Sequence, residues 1–473
     1  MANIKFGTDG WRAVIAKEFT FDNVRIVAQA VADYVNSRIL YPRRKGLKRL
    51  IVGYDRRFMS DVYAKLIADV LTANRVKVYL TLAPTPTPAV SFAIKTRQLD
   101  GGIVVTASHN PPVFNGIKFK THLANSADEK VTGAIESFLK KRAKPRSAVI
   151  GRQTAANRQE TIDAGIDYIS FLQRYVDIKR VKNLKSKVLI DYMHGAGIGY
   201  MEAVLGSPAN MLALRCQNDP LFGGVNPEPI LKNMRYPASY MRENNFDLCL
   251  ALDGDADRIG ALGPGGRFIT SGQIVALILL HFLQNRKLTG AVVKTISGTT
   301  LIEKICARYG LTMFETPVGF KYISALMLKE NILIGGEESG GIGFCGYIPE
   351  RDGILSSLLL LEMLAYRGKK IDEVIAGMEK EYGVFCYNRI DMQYPFEKAQ
   401  ALTAKLKKTP PKKIAGKKVL KVKTYDGIKF ILEDSSWLLL RFSGTEPLIR
   451  IYAEADSDKK VERLLSAGRD ITK

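Results

Sequence analysis

The stretch Gly102-Ile103-Val104-Val105-Thr106-Ala107-Ser108-His109-Asn110-Pro111 sets the reading of the whole chain. A β-branched apolar run stops abruptly in a polar loop, the pattern of a buried strand that delivers side chains to its end. Ser and Asn are ordinary turn formers. Here, however, the Ser108 hydroxyl lies beside the His109 imidazole and shortly before two lysines, Lys118 and Lys120, of the segment Asn115–Lys120. A loop of similar build occurs far along the chain, where Leu248-Cys249-Leu250-Ala251-Leu252 runs into Asp253-Gly254-Asp255-Ala256-Asp257-Arg258. Alternate carboxylates at a strand end can converge on one hard cation if the backbone bends, which Gly254 permits. Carboxylates without soft ligands select Mg²⁺ over zinc. A solvated acidic turn is the bland reading, but like charges this dense are costly without a cation.

Working outward, short apolar strands alternate with amphipathic stretches, the pattern of α/β layers. The length of 473 residues suggests about three domains. The first set has strands expected at Arg49–Gly53, Val76–Leu80 and Gly102–Val105, and helices at Asp22–Ser37, Met59–Ala73 and Asp128–Lys140. A basic, polar stretch from Lys140 to Arg158 marks a boundary. The second set has strands at Lys187–Asp191, Met211–Leu214 and Phe246–Leu252, with a helix over Leu231–Asn244. The third has strands at Ala291–Thr295, Thr312–Glu315 and Ile332–Gly335, with helices at Gly272–Asn285, Thr299–Tyr309, Phe320–Glu330 and Gly353–Tyr366. Their similar size suggests a triplicated fold.

The remainder differs, with strands at Val384–Met392, Val419–Lys423, Lys429–Leu432, Trp437–Arg441 and Ile449–Ala455, and helices at Pro395–Lys407 and Lys459–Arg469. It reads as an α+β appendage. The expected domains are 1–148, 149–265, 266–380 and 381–473.

Apolar residues make up 46% and charged residues 25%, a balance that indicates a soluble globular protein. The net charge of +23 favours anionic ligands through long-range attraction. The densest basic run, Lys405 to Lys423, holds no aromatic residue on which a base could stack, so it reads as a solvated face rather than a nucleic-acid site. Five scattered cysteines without CxxC spacing, and four histidines, argue against structural zinc and for reduced thiols in a cytoplasm. The N-terminus reads as having no signal peptide, and no apolar run has the length of a membrane span. Ile274–Phe282 reads as a buried helix.

Three further loops carry chemistry. Arg441-Phe442-Ser443-Gly444-Thr445-Glu446-Pro447 follows an apolar strand and joins a guanidinium fork to two hydroxyls and free backbone N–H groups, a set suited to a phosphate dianion. Gly335-Gly336-Glu337-Glu338-Ser339-Gly340-Gly341 sets carboxylates and a hydroxyl where they could bond adjacent sugar hydroxyls. Phe6-Gly7-Thr8-Asp9-Gly10-Trp11-Arg12 places an arginine after a glycine turn. Taken singly, each could be a capped turn or a surface charge.

Together these segments resemble the α-D-phosphohexomutase family over nearly the whole chain and in the family's order. Thr106–Pro111 resembles its phosphoserine loop, Asp253–Arg258 its metal loop, Gly336–Gly341 its sugar-binding loop and Arg441–Pro447 its phosphate-binding loop. Gly319-Phe320-Lys321 is similar to its specificity segment. The resemblance implies three similar α/β domains, with mixed sheets sandwiched by helices, and a smaller α+β domain, around a central cleft. It implies phosphoryl transfer from a phosphorylated Ser108 to a hexose monophosphate, through a hexose 1,6-bisphosphate that reorients and returns its other phosphate.

On this reading Mg²⁺ is held by Asp253, Asp255, Asp257 and the Ser108 phosphate, and neutralises the transferring oxygens. Arg12 and Lys118 handle protons and charge beside Ser108, with His109 as a further acid/base candidate. Arg441, Ser443, Gly444 and Thr445 hold the non-reacting phosphate. Glu337 and Ser339 bind hydroxyls, Gly319, Phe320 and Lys321 contact the sugar, and Arg258 and Lys294 add positive charge. The Glu337-Glu338-Ser339 form resembles glucose-acting members, whereas mannose/glucose and glucosamine members typically end this loop in His rather than Gly341. Phe6–Gly10 resembles the glucosamine branch. Glucose is the expected sugar, with mannose or glucosamine as alternatives. The expected partner is a phosphorylated hexose, with no membrane or nucleic acid, and the chain acts as a monomer or homodimer. Two other classes compete: a phosphatase using Asp253 as nucleophile, which leaves Ser108 and the Arg441 loop without roles, and a non-catalytic basic binding protein.

Overall fold

The computed structural model describes residues 4–7, 10–37, 46–140, 158–442 and 447–473. Most of the boundary stretch Lys140–Arg158 therefore lies outside the described residues, as do Thr8, Asp9 and Ser443 to Glu446. The chain divides into two compact units, one of residues 1–269, 324–331 and 339–371, the other of 270–323, 332–338 and 372–473.

The first unit holds two mixed sheets. In one, Lys48–Tyr54 pairs in parallel with Val76–Thr81 on one side and Gly101–Val105 on the other. In the other, Val188–Asp191 pairs in parallel with Met211–Leu214 and Leu248–Leu252. The second unit repeats the arrangement, with Ala291–Thr295 between Met313–Thr316 and Ile332–Gly336. In all three the first strand of the set lies between the second and the third. Loops at the carboxyl ends of such strands, where the winding reverses, are where open α/β sheets bind ligands. The third strand of each set runs into a polar loop: the Ser108 loop, the Asp253–Arg258 loop and the Gly336–Gly341 loop. The repetition expected from element lengths is thus a repetition of topology that presents three chemically different loops from equivalent positions.

Strands missing from the sequence reading complete the sheets. Phe114–Thr121 pairs antiparallel with Gly101–Val105, and Trp11–Val14 pairs with it in turn. Ile259–Gly263 does the same for Leu248–Leu252. Phe114–Thr121 was concealed because Lys118 and Lys120 alternate with apolar residues yet are both buried, where alternation normally predicts a wet face. The helix Thr87–Thr96 was missed because eight of its residues, Thr87 to Ile94, are buried and leave no amphipathic period. The helix expected over Leu231–Asn244 begins at Arg235, after a 3₁₀ turn at Leu231–Asn233. Pro237 is the cause: it lacks the N–H that would bond the Asn233 carbonyl, and its ring would clash there. The expected buried helix at Ile274–Phe282 lies within Ser271–Gln284, and no helix among the described residues is long and apolar enough to cross a membrane.

The C-terminal residues form an antiparallel sheet in the order Cys386–Gln393, Leu448–Ala455, Trp437–Phe442, Ile428–Leu432, Lys417–Lys423, Lys413–Ile414. The lysine run occupies the last two strands and the preceding helix end, largely exposed. Lysines on an outer strand oppose edge-to-edge pairing. The central strands are buried on both faces. Leu438 and Leu440 pack with Val461 and Leu465 of the helix Asp458–Ile471, whereas Trp437, Leu439 and Tyr452 pack with Ile296 of the third α/β set. Period-two alternation explains the division.

Polar bonds reinforce this second face. Thr300 N donates to Glu454 Oε1 at 2.8 Å, and Lys429 Nζ donates to the Ile296 carbonyl at 2.7 Å. Lys429 also lies 3.8 Å from the centroid of the Trp437 ring. Burial, and then Lys294 nearby, bring its pKa down to about 7 despite Glu315, Glu454 and Glu303. Between pH 7 and the unfolded lysine pKa near ~10.4, the unfolded chain therefore binds more protons, and stability rises with pH. Below pH 7 both states are protonated and this contribution is flat. The melting temperature of wild type relative to Lys429→Met is expected to climb from pH 7 to 10 in scanning calorimetry. A difference that stays constant over that range would mean Lys429 keeps its charge in the fold.

Candidate functional site

Ser108 sits in the loop between Gly101–Val105 and Phe114–Thr121, in a left-handed backbone conformation with φ +53°. It is fully enclosed. Its Oγ donates to Asp253 Oδ2 at 2.8 Å and lies 3.4 Å from His109 Nδ1. The Asp253 loop joins Leu248–Leu252 to Ile259–Gly263 and approaches the serine loop closely. A Cβ on Gly254 would fall 2.5 Å from the Ser108 carbonyl oxygen, so only glycine fits there.

Asp253, Asp255 and Asp257 are all buried, with ligand oxygens within 4.8 Å of one another, the one such acidic or His/Cys group among the described residues. Cations surround them. Lys118 Nζ donates to Asp255 at 2.7 Å and to Asp257 at 2.9 Å. Arg351, unremarked in the sequence, reaches Asp257 at 2.8 Å. Thr87 donates to Asp255, and the Arg258 N–H to Asp253 at 3.1 Å. Burial, with Asp257 and Asp255 beside it, pushes the Asp253 carboxyl well above the usual carboxylate range. Asp257 is also buried, but Arg351 and Lys118 outweigh that and hold it well below its ordinary value.

One oxygen of Asp255 and one of Asp257 have no hydrogen-bond partner. Buried carboxylate oxygens left over in this way fit a divalent cation, whose preferred ligands are hard oxygens. His109 is kept neutral at physiological pH by burial and by the charges of Arg258, Arg12, Lys118 and Arg351. Arg12 Nη1 donates to the Asn110 side chain at 2.6 Å. Ser108, His109, Lys118, Arg12, Arg258 and the three aspartates thus come together around two touching loops of the first unit.

The second unit carries another group of the expected residues. Lys294 is buried and pairs with Glu303 at 2.6 Å and Glu315 at 3.3 Å. Glu338 accepts from Ser297 Oγ at 2.6 Å and Thr295 Oγ1 at 3.2 Å. Glu337 and Glu338 line a pocket with Lys294, Ser297 and Tyr387. Arg441 Nε donates to both oxygens of Asp426, at 2.9 and 3.0 Å, and Asp426 also accepts from the Val318 N–H. Gly319 has φ +132°, which favours glycine. Gly319 and Phe320 are buried, and of that segment Lys321 is part-exposed. Ser339 belongs to the first unit, and Ser443, Gly444 and Thr445 lie outside the described residues.

Comparison with known proteins bears on this arrangement. Residues 3–146, 166–266, 270–382 and 397–470 match, in turn, the phosphoglucomutase/phosphomannomutase alpha/beta/alpha domains I, II and III and the C-terminal domain. A phosphoglucomutase/phosphomannomutase of Thermococcus kodakarensis is 30% identical, over 98% of this chain and 97% of that one. A phosphoglucosamine/phosphogalactosamine mutase of Sulfurisphaera tokodaii is also 30% identical, over 98% of each chain. The crystal structure of a putative phosphomannomutase from Thermus thermophilus superposes with a TM-score of 0.87 at 34% identity, covering 99% of both chains.

Proposed function

The chain belongs to the phosphoglucomutase/phosphomannomutase family, and from that premise we propose that it interconverts hexose 1-phosphate and hexose 6-phosphate through phosphorylated Ser108. The observation that carries the reading is the Ser108 hydroxyl 2.8 Å from a carboxylate of a buried triad with oxygens to spare. An aspartate-nucleophile phosphatase would leave this enclosed serine without a purpose.

In the first half-reaction the P–Oγ bond of phosphoserine breaks as a P–O bond forms to the free sugar hydroxyl. The hydroxyl proton passes to a base and Ser108 Oγ is protonated as it leaves; His109, 3.4 Å from Oγ, is the acid/base we favour. The hexose 1,6-bisphosphate then reorients, and its other phosphoryl group returns to Ser108. Asp253, Asp255 and Asp257 would hold Mg²⁺ with the serine phosphate, and the ion would supply charge neutralisation to the transferring oxygens. Lys118, bonded to two of the three carboxylates, serves as a charge partner, and Arg12 and Arg258 add positive potential. Enclosure keeps water, a competing acceptor, from the phosphoserine. Arg441 with Ser443, Gly444 and Thr445 would take the non-reacting phosphate. Glu337 and Ser339 would take sugar hydroxyls, and Lys294, Gly319 and Lys321 would line the sugar's surroundings.

Glucose is the sugar we favour, on the Glu337-Glu338-Ser339 form of the loop. Relatives named as phosphoglucosamine mutases favour a second reading, glucosamine phosphate. Glucose, mannose and glucosamine 1-phosphates assayed side by side, with and without the matching 1,6-bisphosphate, decide between them. The highest kcat/KM is expected for glucose 1-phosphate. A glucosamine preference would overturn that choice of sugar, and no turnover of any of the three would overturn the mutase reading.

A further inference from the structure

The Ser108 loop has little hydrogen bonding of its own. Between Ala107 and Phe114 the backbone closes on itself only through Asn110 N to Ala107 O and Phe114 N to Pro111 O. Yet it holds a serine at positive φ, a conformation that costs a non-glycine residue energy and persists only where the surroundings impose it. Four of its carbonyls are held by one side chain that the sequence reading did not single out.

Arg57 follows the strand Lys48–Tyr54 and is buried, 3% exposed. Its Nη2 donates to the carbonyls of Ser108 at 2.6 Å and Asn110 at 2.7 Å. Its Nη1 donates to those of Pro111 at 2.9 Å and Phe114 at 3.0 Å. The guanidinium is aimed from behind by Asp55, whose Oδ2 lies 3.2 Å from Arg57 Nε, and the Phe222 ring centroid is 5.0 Å from its central carbon. The same Asp55 oxygen accepts from Thr106 Oγ1 at 2.6 Å, and Thr106 Oγ1 in turn accepts the Ser108 N–H at 2.8 Å. Both backbone polar groups of Ser108 therefore trace back to Asp55, one through Arg57 and one through Thr106.

We propose that Arg57, oriented by Asp55, is a positioning residue for phosphoryl transfer: it clamps the Ser108 loop so that Oγ faces Asp253 and the transferring phosphoryl group. This rests on the reading of Ser108 as the phosphoryl carrier. Arg57 acts through the main chain and touches neither Oγ nor substrate. Four carbonyls around one planar fork require arginine, because a lysine ammonium has a single centre and three protons. Misplacement of a reacting atom by about 1 Å costs on the order of 10²-fold in rate while leaving binding by distant groups intact.

Arg57→Lys is the test, with steady-state kinetics on glucose 1-phosphate, thermal melting and intact mass after incubation with glucose 1,6-bisphosphate. Expected are a folded protein, kcat lowered about 10²-fold, KM within about twofold, and slowed phosphorylation of Ser108. Guanidinium at millimolar concentration should partly restore kcat to Arg57→Ala, as it would not for a protein merely weakened. Wild-type kcat in Arg57→Lys overturns the proposal, as does a loss of kcat matched by a comparable rise in KM. Should Arg57→Lys fail to fold, the near-isosteric Thr106→Val, which removes the other tie between Asp55 and Ser108, is judged by the same criteria. Ser108→Ala run in parallel separates the two ideas. If it is inactive while Arg57→Lys and Thr106→Val are not impaired, only the clamp fails. If it turns over normally, the phosphoserine reading itself fails.

Discussion

Ser108→Ala is expected to abolish mutase turnover while the fold survives. On the proposed mechanism, removing the group that carries the phosphoryl leaves no covalent route, and loss of a nucleophile from a site whose parts act as a unit costs on the order of 10⁶ in kcat. The structural cost is small by comparison. Ser108 Oγ has two neighbours, Asp253 and His109, and deleting it leaves one buried carboxylate oxygen without that donor, roughly 1–3 kcal/mol. Alanine keeps the backbone in the same left-handed conformation, which the surrounding bonds impose. Wild type incubated with glucose 1,6-bisphosphate should gain one phosphate by intact mass, and the variant none. Wild-type turnover in the variant would rule out a phosphoserine mechanism.

Removal of the divalent cation, or Asp255→Asn, is expected to have the next largest effect. On the proposed mechanism a cation held by the triad neutralises charge that develops during transfer, so its loss should lower kcat by at least about 10² with less effect on KM, the pattern of an interaction made mainly in the transition state. A readout independent of activity follows from the carboxylates themselves. A cation that binds the folded site stabilises it by about 2.7 kcal/mol at a hundred times its Kd. Magnesium should therefore raise the melting temperature of wild type and not that of Asp255→Asn. Equal shifts in both proteins, or undiminished turnover after rigorous chelation, would contradict the role given to the three aspartates.

Much of this was legible in one dimension because it depends on local order. The apolar run Gly102–Val105 and the run Leu248–Leu252 announce buried strands, and a polar loop directly after such a strand must lie at its carboxyl end. Asp253, Asp255 and Asp257 alternate along the chain, so a single bend suffices to bring their carboxylates together. The domain family follows from the same local patterns.

What local order cannot contain is a contact whose partners are distant and whose residue types look ordinary. Sequence order puts Lys118 and Lys120 near Ser108, but it does not show that both are buried against Asp255, Asp257 and Glu350, all more than a hundred residues away. Arg351 became part of the site only by its contact with Asp257. Arg57 belongs to an unremarkable Asp55-Arg56-Arg57 stretch in the sequence, and the positioning role proposed for it rests on four hydrogen bonds to a loop some fifty residues on. Local order along the chain is enough to specify the alternation of strands and loops and the reactive groups those loops present. Tertiary structure alone decided which buried charges neutralise one another, because burial makes an unpaired charge costly and only long-range packing supplies the partner.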